Sequence, residues 1–375
     1  MTTIEHVPGV QLPETLTVSD ATARWSAVRE FWMPVTTVLR DADGTATGAA
    51  LTMARPGTSY RKIVDVIATN DADHAALLDA VIALSGDGGD DGAGLDGIHP
   101  ATVVHYEQHG TLAAGRAQAL AAAGFVRQAA AVPSVPSTLA GLPGSVEVWS
   151  RWVGDAPTRR IPYYGQTTDV TCGAVTALGA MHAAGHGAFT VDRDDNHSIE
   201  LGFWRLATNL PACEPIGLAV AARDELAGDA ATPRVIVSTE RPVLLEEYAD
   251  KPGELRLRED LQAEARRRAD LLGVPVEYRW VDVDEIAALV RGGSSVGILI
   301  DLMPLINDPS PHWILAYDVI GDDVIVSDPW VDSDNAETWA DTFALPLPPT
   351  TLDLIARWGD PVYRGVVVFA PVAAP

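Results

Sequence analysis

Lysine is almost missing from this chain: of 26 basic residues only Lys62 and Lys251 are lysines, and the rest are arginines. Cysteine is just as scarce. Cys172 and Cys213 alone in 375 residues exclude a disulfide framework and a four-thiolate zinc site. No run approaches the ~18 apolar residues needed to span a bilayer. The opening MTTIEHVPGVQLPETL lacks the basic stretch and apolar run of a secretory signal. A cytoplasmic protein with no membrane partner is therefore expected. Positive charge is outnumbered, 26 Lys+Arg against 51 Asp+Glu, for a net charge of −25. That field repels a polyanion, and no basic patch offsets it, so no nucleic-acid partner is expected.

What is present is apolar material, 47% of the chain, enough for sizeable packed cores. At about 100–200 residues per domain the length predicts two domains. Residues 35–70 read as strands broken by Asp-Gly and Pro-Gly turns. HAALLDAVIALS (74–85) has apolar residues at helical spacing, GDGGDDGAGLDG (86–97) reads as a Gly/Asp loop, and ATVVHYEQ returns to strand. GRAQALAAAGF (115–125) reads as a helix stopped at Gly124. Pro and Gly recur through 132–160, which reads as a linker with one strand, VEVWSRW. The domain boundary is placed near residue 155.

The strand–helix alternation of the first part, with its late helix ending in Gly124-Phe125, resembles the GNAT acetyltransferases over roughly residues 20–150. Those enzymes hold a pyrophosphate on a Gln/Arg-x-x-Gly-x-Gly/Ala loop at a helix N-terminus. No such loop occurs here, and the aspartates of GDGGDDGAG would repel phosphate. The resemblance therefore implies a degenerate GNAT-like α/β domain, 1–155, used for recognition or docking rather than acetyl transfer.

The second part reads as helices first and an antiparallel sheet after, an α+β order. Helices are expected from Cys172 to about Gly185, over 199–208 and 215–227, and in the charged LREDLQAEARRRADLLG segment. SVGILIDL, HWILAYDVIG and DVIVSDPW read as the sheet.

Four residues in this part suit acyl transfer. Cys172 opens a helix, where the partial positive charge of the N-terminus favours a thiolate nucleophile, and small Gly173 and Ala174 would let a substrate carbonyl approach. Gln166, six residues upstream, can donate to a developing oxyanion together with the Cys172 backbone N–H. His312 begins a strand after Pro311, with Trp313 able to shield it, and can pass a proton to and from sulfur. Asp328 follows the next strand; a turn at Gly321-Asp322-Asp323 would return it to His312, whose imidazole it can orient.

These motifs in this order resemble the C39-like cysteine peptidases of the papain fold, in particular the stand-alone bacterial peptidase C39-like proteins. The matching text is Gln166-Thr167-Thr168, Thr171-Cys172-Gly173, Phe203-Trp204-Arg205, Cys213-Glu214-Pro215-Ile216-Gly217-Leu218, then Pro-His-Trp and Asp-Pro. Ala174 stands where many relatives have proline. The resemblance implies a papain-like C39-type catalytic domain over 156–375, with Cys172 as nucleophile, His312 as base, Asp328 as orienter and Gln166 as oxyanion donor. The expected function is cleavage of a peptide or amide substrate through a Cys172 acyl-enzyme, with no cofactor required. The alternatives are amide formation from the same acyl-enzyme and a non-catalytic peptide-binding module.

Trp313, Trp204 and Arg205 are candidate substrate contacts, Arg205 through a substrate carboxylate. Cys213 reads as a packing residue at a helix start. His182 and His186 share helical i,i+4 spacing, as do His105 and His109, but no third ligand accompanies either pair, so no metal is expected. The oligomeric state is not legible in this sequence.

Overall fold

A computed structural model describes residues 2–16, 19–86, 99–137, 146–208, 210–226 and 232–371. The first part runs β1 Thr3–Pro8, α1 Ser19–Ser26, β2 Met33–Arg40, β3 Ala46–Ala54, β4 Tyr60–Ala68, α2 Asp71–Gly86, β5 Val103–His109, α3 Ala114–Ala122, β6 Val126–Arg127 and β7 Val146–Trp152. The second runs α4 Cys172–Ala183, α5 Arg193–Ala207, α6 Pro215–Glu225, β8 Arg234–Val237, α7 Pro252–Leu272, β9 Val276–Tyr278, α8 Val283–Arg291 and β10 Ser295–Asp301. It continues with α9 Met303–Ile306, β11 Pro311–Ile320, β12 Asp323–Ser327, β13 Leu345–Leu347, α10 Pro349–Ile355 and β14 Gly365–Phe369.

The described strands form two mixed seven-stranded sheets. The first has the order β1-β2-β3-β4-β5-β7-β6, with β4 and β5 parallel. The second has the order β13-β12-β11-β10-β14-β8-β9. Two features depart from the expected antiparallel sheet. The β8–β9 pair is parallel, because α7 returns the chain to the same edge. The late strand β14, a continuous apolar run Gly-Val-Val-Val-Phe, is inserted between β10 and β8 in the middle of the sheet. The VEVWSRW strand is not a linker element either: β7 pairs with β5 along its whole length in the first sheet. The Gly/Asp loop lies outside the described residues apart from Gly86.

Alternation along β10 shows how the second sheet is covered on both faces. Val296, Ile298 and Ile300 enter one core with Ile286 and Val290 of α8, Leu352 of α10 and residues of the first sheet, among them Met53, Tyr60 and Val103. Leu299 points the other way, into a core with α4, α6, Trp313 and Val367. Helix α4 is buried over nearly its whole length, as its run of small apolar residues requires. Helices α2 and α3 cover the outer face of the first sheet. The chain between β12 and β13, with one-turn helices at Ser333–Asn335 and Trp339–Asp341, is held against the first sheet.

Candidate active site

Cys172 is placed by a loop and a helix. Thr171 occupies the residue before α4, yet its hydroxyl does not cap the helix; it donates to Glu200 instead. Cys172 is the first helical residue, so its backbone N–H has no acceptor inside the helix. Its side chain opens on a cavity of about 170 Å³, shared with Leu210, Pro211, Cys213, Leu244, Glu246, Glu247, Trp313 and Trp358.

His312 comes from the start of β11, opposite Ile300 of β10. The β11–β12 hairpin turns at Gly321, whose φ of +59° favours glycine, and pairs Ile320 with Asp323. It returns the chain so that Asp328, one residue beyond β12, reaches His312: Nε2 and Oδ1 are 2.7 Å apart. The same Oδ1 accepts the Trp330 backbone N–H at 2.8 Å, and the Asp328 backbone N–H donates to Thr342 O at 2.9 Å. The carboxylate is therefore fixed from both sides. With Nε2 committed to Asp328, Nδ1 is the ring nitrogen left for Cys172, which acts on the imidazole electrostatically.

Burial pushes the His312 imidazole towards the neutral form. The Asp328 charge opposes this, together with the hydrogen bond the imidazole makes to Asp328 and the effect of Cys172, and the outcome is a pKa raised to about 10. An imidazolium held beside a thiol is the arrangement that favours a thiolate. The Trp330 ring meets the His312 ring edge-on, with 6.3 Å between centroids. At Cys213, burial first, and then the neighbouring Cys172 and Glu214, drive the thiol pKa well up, so it stays protonated.

Residues 161–370, more than half of the chain, match the model of the Peptidase_C39 like family. The chain belongs to this family. No curated protein matches it. Among solved structures, the first part has N-acetyltransferases as neighbours. The ribosomal-protein-S18-alanine N-acetyltransferase of Escherichia coli is 14% identical, with a TM-score of 0.27, covering 43% of this chain and 99% of that one. A dodecameric spermidine N-acetyltransferase of Vibrio cholerae is 11% identical, with a TM-score of 0.22, covering 32% of this chain and 64% of that one.

Within this C39-like chain the remaining sequence candidates fall in different places. Gln166 is buried on the loop before α4, where its Nε2 donates to Thr168 O at 2.8 Å and one amide N–H stays uncommitted, and it is not among the residues lining the cavity. Trp313 lines the cavity and donates its indole N–H to Cys213 O at 2.9 Å. Trp204 is not among the lining residues, but it supports one of them by donating to Pro211 O at 3.0 Å. Arg205 is exposed and borders a separate shallow depression with Leu178 and Ile199. His182 accepts the Phe189 backbone N–H, and His105 pairs with Ala340 O. Among the described residues no group of three or more His, Cys, Asp or Glu side chains could hold a metal.

Gly173 also serves packing. A Cβ there would stand 2.9 Å from Cys213 Cβ and 3.1 Å from Trp313 Cδ1. The missing side chain lets the cavity wall close on α4. Gly173→Ala is expected to cost about 1–3 kcal/mol by overpacking. Urea denaturation checks this, and an unchanged midpoint would show that the wall yields.

Glu200, on α5, escaped the sequence reading. It is fully buried and accepts Tyr164 Oη at 2.9 Å, Thr167 N at 2.9 Å and Thr167 Oγ1 at 2.8 Å, as well as the Thr171 hydroxyl. One carboxylate thus gathers the whole Tyr164–Thr171 loop, which carries Gln166 and leads into Cys172. The only signal in the sequence was the density of hydroxyl residues in that loop, more than water-exposed turns need.

Proposed function

We propose that this chain is a cysteine-dependent hydrolase that cleaves a peptide or amide bond. The observation that carries the reading is the hydrogen bond of His312 Nε2 to Asp328, which leaves Nδ1 for Cys172, itself a residue of the cavity wall. The Cys172 sulfur attacks the substrate carbonyl carbon, forming a C–S bond, and the carbonyl oxygen becomes an oxyanion. The Cys172 backbone N–H and the uncommitted Gln166 N–H are the groups available to it. His312 gives its proton to the leaving nitrogen as the C–N bond breaks, then takes one from the water that hydrolyses the thioester.

The cavity walls are apolar, and the lining carries Asp169, Glu246 and Glu247 but no cationic residue. A substrate presenting an apolar or basic side chain suits this surface, and an acidic one is repelled. Acetyl transfer by the first part is disfavoured on charge, since the first turn of α2 carries Asp71 and Asp73.

The test is a peptide library with an electrophilic thiol probe, read by mass spectrometry. The adduct should fall on Cys172 and not Cys213. Turnover should be lost in Cys172→Ala, and Lys, Arg or Leu peptides should outcompete Asp or Glu peptides. Full turnover by Cys172→Ala would end this reading. A product carrying an added amine in place of water would convert it to amide formation.

A further inference from the structure

The first sheet contributes charged side chains to the chain segment that begins at Asp328. Lys62 of β4 is 2% exposed and puts Nζ 2.6 Å from Asp341 Oδ2 and 2.9 Å from Glu107. Tyr60 Oη, from the same face of β4, donates to Asp341 Oδ1 at 2.9 Å and lies 3.0 Å from Ala340 O. Thr338 Oγ1 donates to Glu107 Oε2 at 2.8 Å, and Trp339 Nε1 to Val146 O at 3.0 Å. Arg55, after β3, pairs with Glu337 while its guanidinium stacks on Trp32 at 4.7 Å. Glu337 in turn accepts the Asp332 backbone N–H at 3.1 Å.

These contacts end on the catalytic pair. Thr342, one residue beyond Asp341, holds the Asp328 backbone N–H with its carbonyl, and its hydroxyl is 2.7 Å from Tyr163 Oη. Asp328 is therefore fixed at its backbone by a segment whose own anchors are Lys62, Tyr60 and Arg55.

We propose that Lys62, Tyr60 and Arg55 of the first sheet are positioning residues for the His312–Asp328 pair, so that the GNAT-like part acts as an internal brace for the active site. This rests on the cysteine-hydrolase reading above. Burying a lysine is costly unless its charge is matched, and two carboxylates match this one; one of them belongs to the segment being held. Such an ion pair contributes little net stability against an apolar replacement, but it fixes where Asp341 sits. The titratable groups facing His312 are Asp328 and Cys172, and Asp328 in turn acts from farther off on Arg55, Tyr163 and Glu337.

The test uses the full chain and iodoacetamide, so no substrate is needed. Alkylation of Cys172 is followed from pH 5.5 to 10 in the wild type, Lys62→Met, Lys62→Arg and Tyr60→Phe, each alone and with Asp328→Asn, with folding checked by circular dichroism. Tyr60→Phe removes only the hydroxyl and keeps the test alive if Lys62→Met does not fold. Lys62→Met should slow alkylation near pH 6.5 by about tenfold, because a displaced Asp328 holds the imidazolium beside Cys172 less well, and Tyr60→Phe by about threefold. Lys62→Arg should recover part of the loss. With Asp328→Asn present, neither change should add more than about twofold, since both act through the same carboxylate. Folded variants with the wild-type pH profile, or losses that multiply in the Asp328→Asn background, overturn the brace. Wild-type alkylation that is indifferent to His312→Ala would instead sink the hydrolase reading, so the two failures are distinguishable.

Discussion

Asp328→Asn is expected to lower kcat/KM by about 10²–10⁴ without unfolding the chain. The Trp330 backbone N–H already points at the atom that His312 uses, so an asparagine would keep its oxygen there and the Nε2 hydrogen bond would survive. What disappears is the negative charge that offsets the burial of the imidazole. The His312 pKa then falls from about 10, and the alkaline limb of the pH–rate profile moves to lower pH with it. The stability consequence has a definite sign. A histidine whose folded pKa is raised stabilises the fold fully below its unfolded pKa of about 6.5, and that stabilisation is lost as pH rises towards about 10. The difference in melting temperature between wild type and Asp328→Asn should therefore be largest near pH 6 and shrink by pH 10. A difference that grows over that interval would contradict the assignment.

Glu200→Ala should be the most damaging change that touches no reacting atom. It leaves the buried Thr167 N–H without its acceptor and takes the shared carboxylate from the Tyr164, Thr167 and Thr171 hydroxyls, of which Thr167 keeps His197 and Thr171 keeps Thr168. At about 1–3 kcal/mol for a buried group left unpaired, a loss of about 1–3 kcal/mol is expected. Activity should fall by more than about 100-fold, because the same loop carries Gln166 and enters the helix of Cys172. Glu200→Gln is not a rescue: its amide turns two of the four accepting lone-pair directions into donors, facing groups that themselves donate. Denaturant unfolding and turnover measured together check this. A Glu200→Ala chain that keeps its midpoint and its rate would remove Glu200 from the account.

The elements around the cysteine and the histidine were legible because each carries its own local signal. A thiol after a Thr-Thr loop and before a small-residue run marks a helix start. Pro-His-Trp on a β-branched run, followed by Gly321 and then Asp-Pro, marks a hairpin with its polar residues at one end. Glu200 was not legible for the opposite reason: one carboxylate in Ile-Glu-Leu-Gly-Phe-Trp reads as a solvated helix position, and only the distant loop explains its burial. Strand β14 was passed over because a five-residue apolar run near the C-terminus carries no sign of which strands will flank it. Trp204 and Arg205, adjacent in sequence, part company because successive helical residues face different directions.

The sequence by itself determined the chemical inventory: one helix-start thiol, one strand-edge imidazole, a carboxylate a hairpin away, and the excess of acid that disfavours polyanions. These follow from residue type and short-range periodicity, which chain geometry makes local. Only the tertiary structure decided that Lys62, which alternation along β4 leaves as a plausible surface residue, lies buried against an aspartate 279 positions away. Whether a charge can be buried depends on its partner's field at a few ångströms, and that partner is chosen by how two sheets pack, not by any neighbour along the chain.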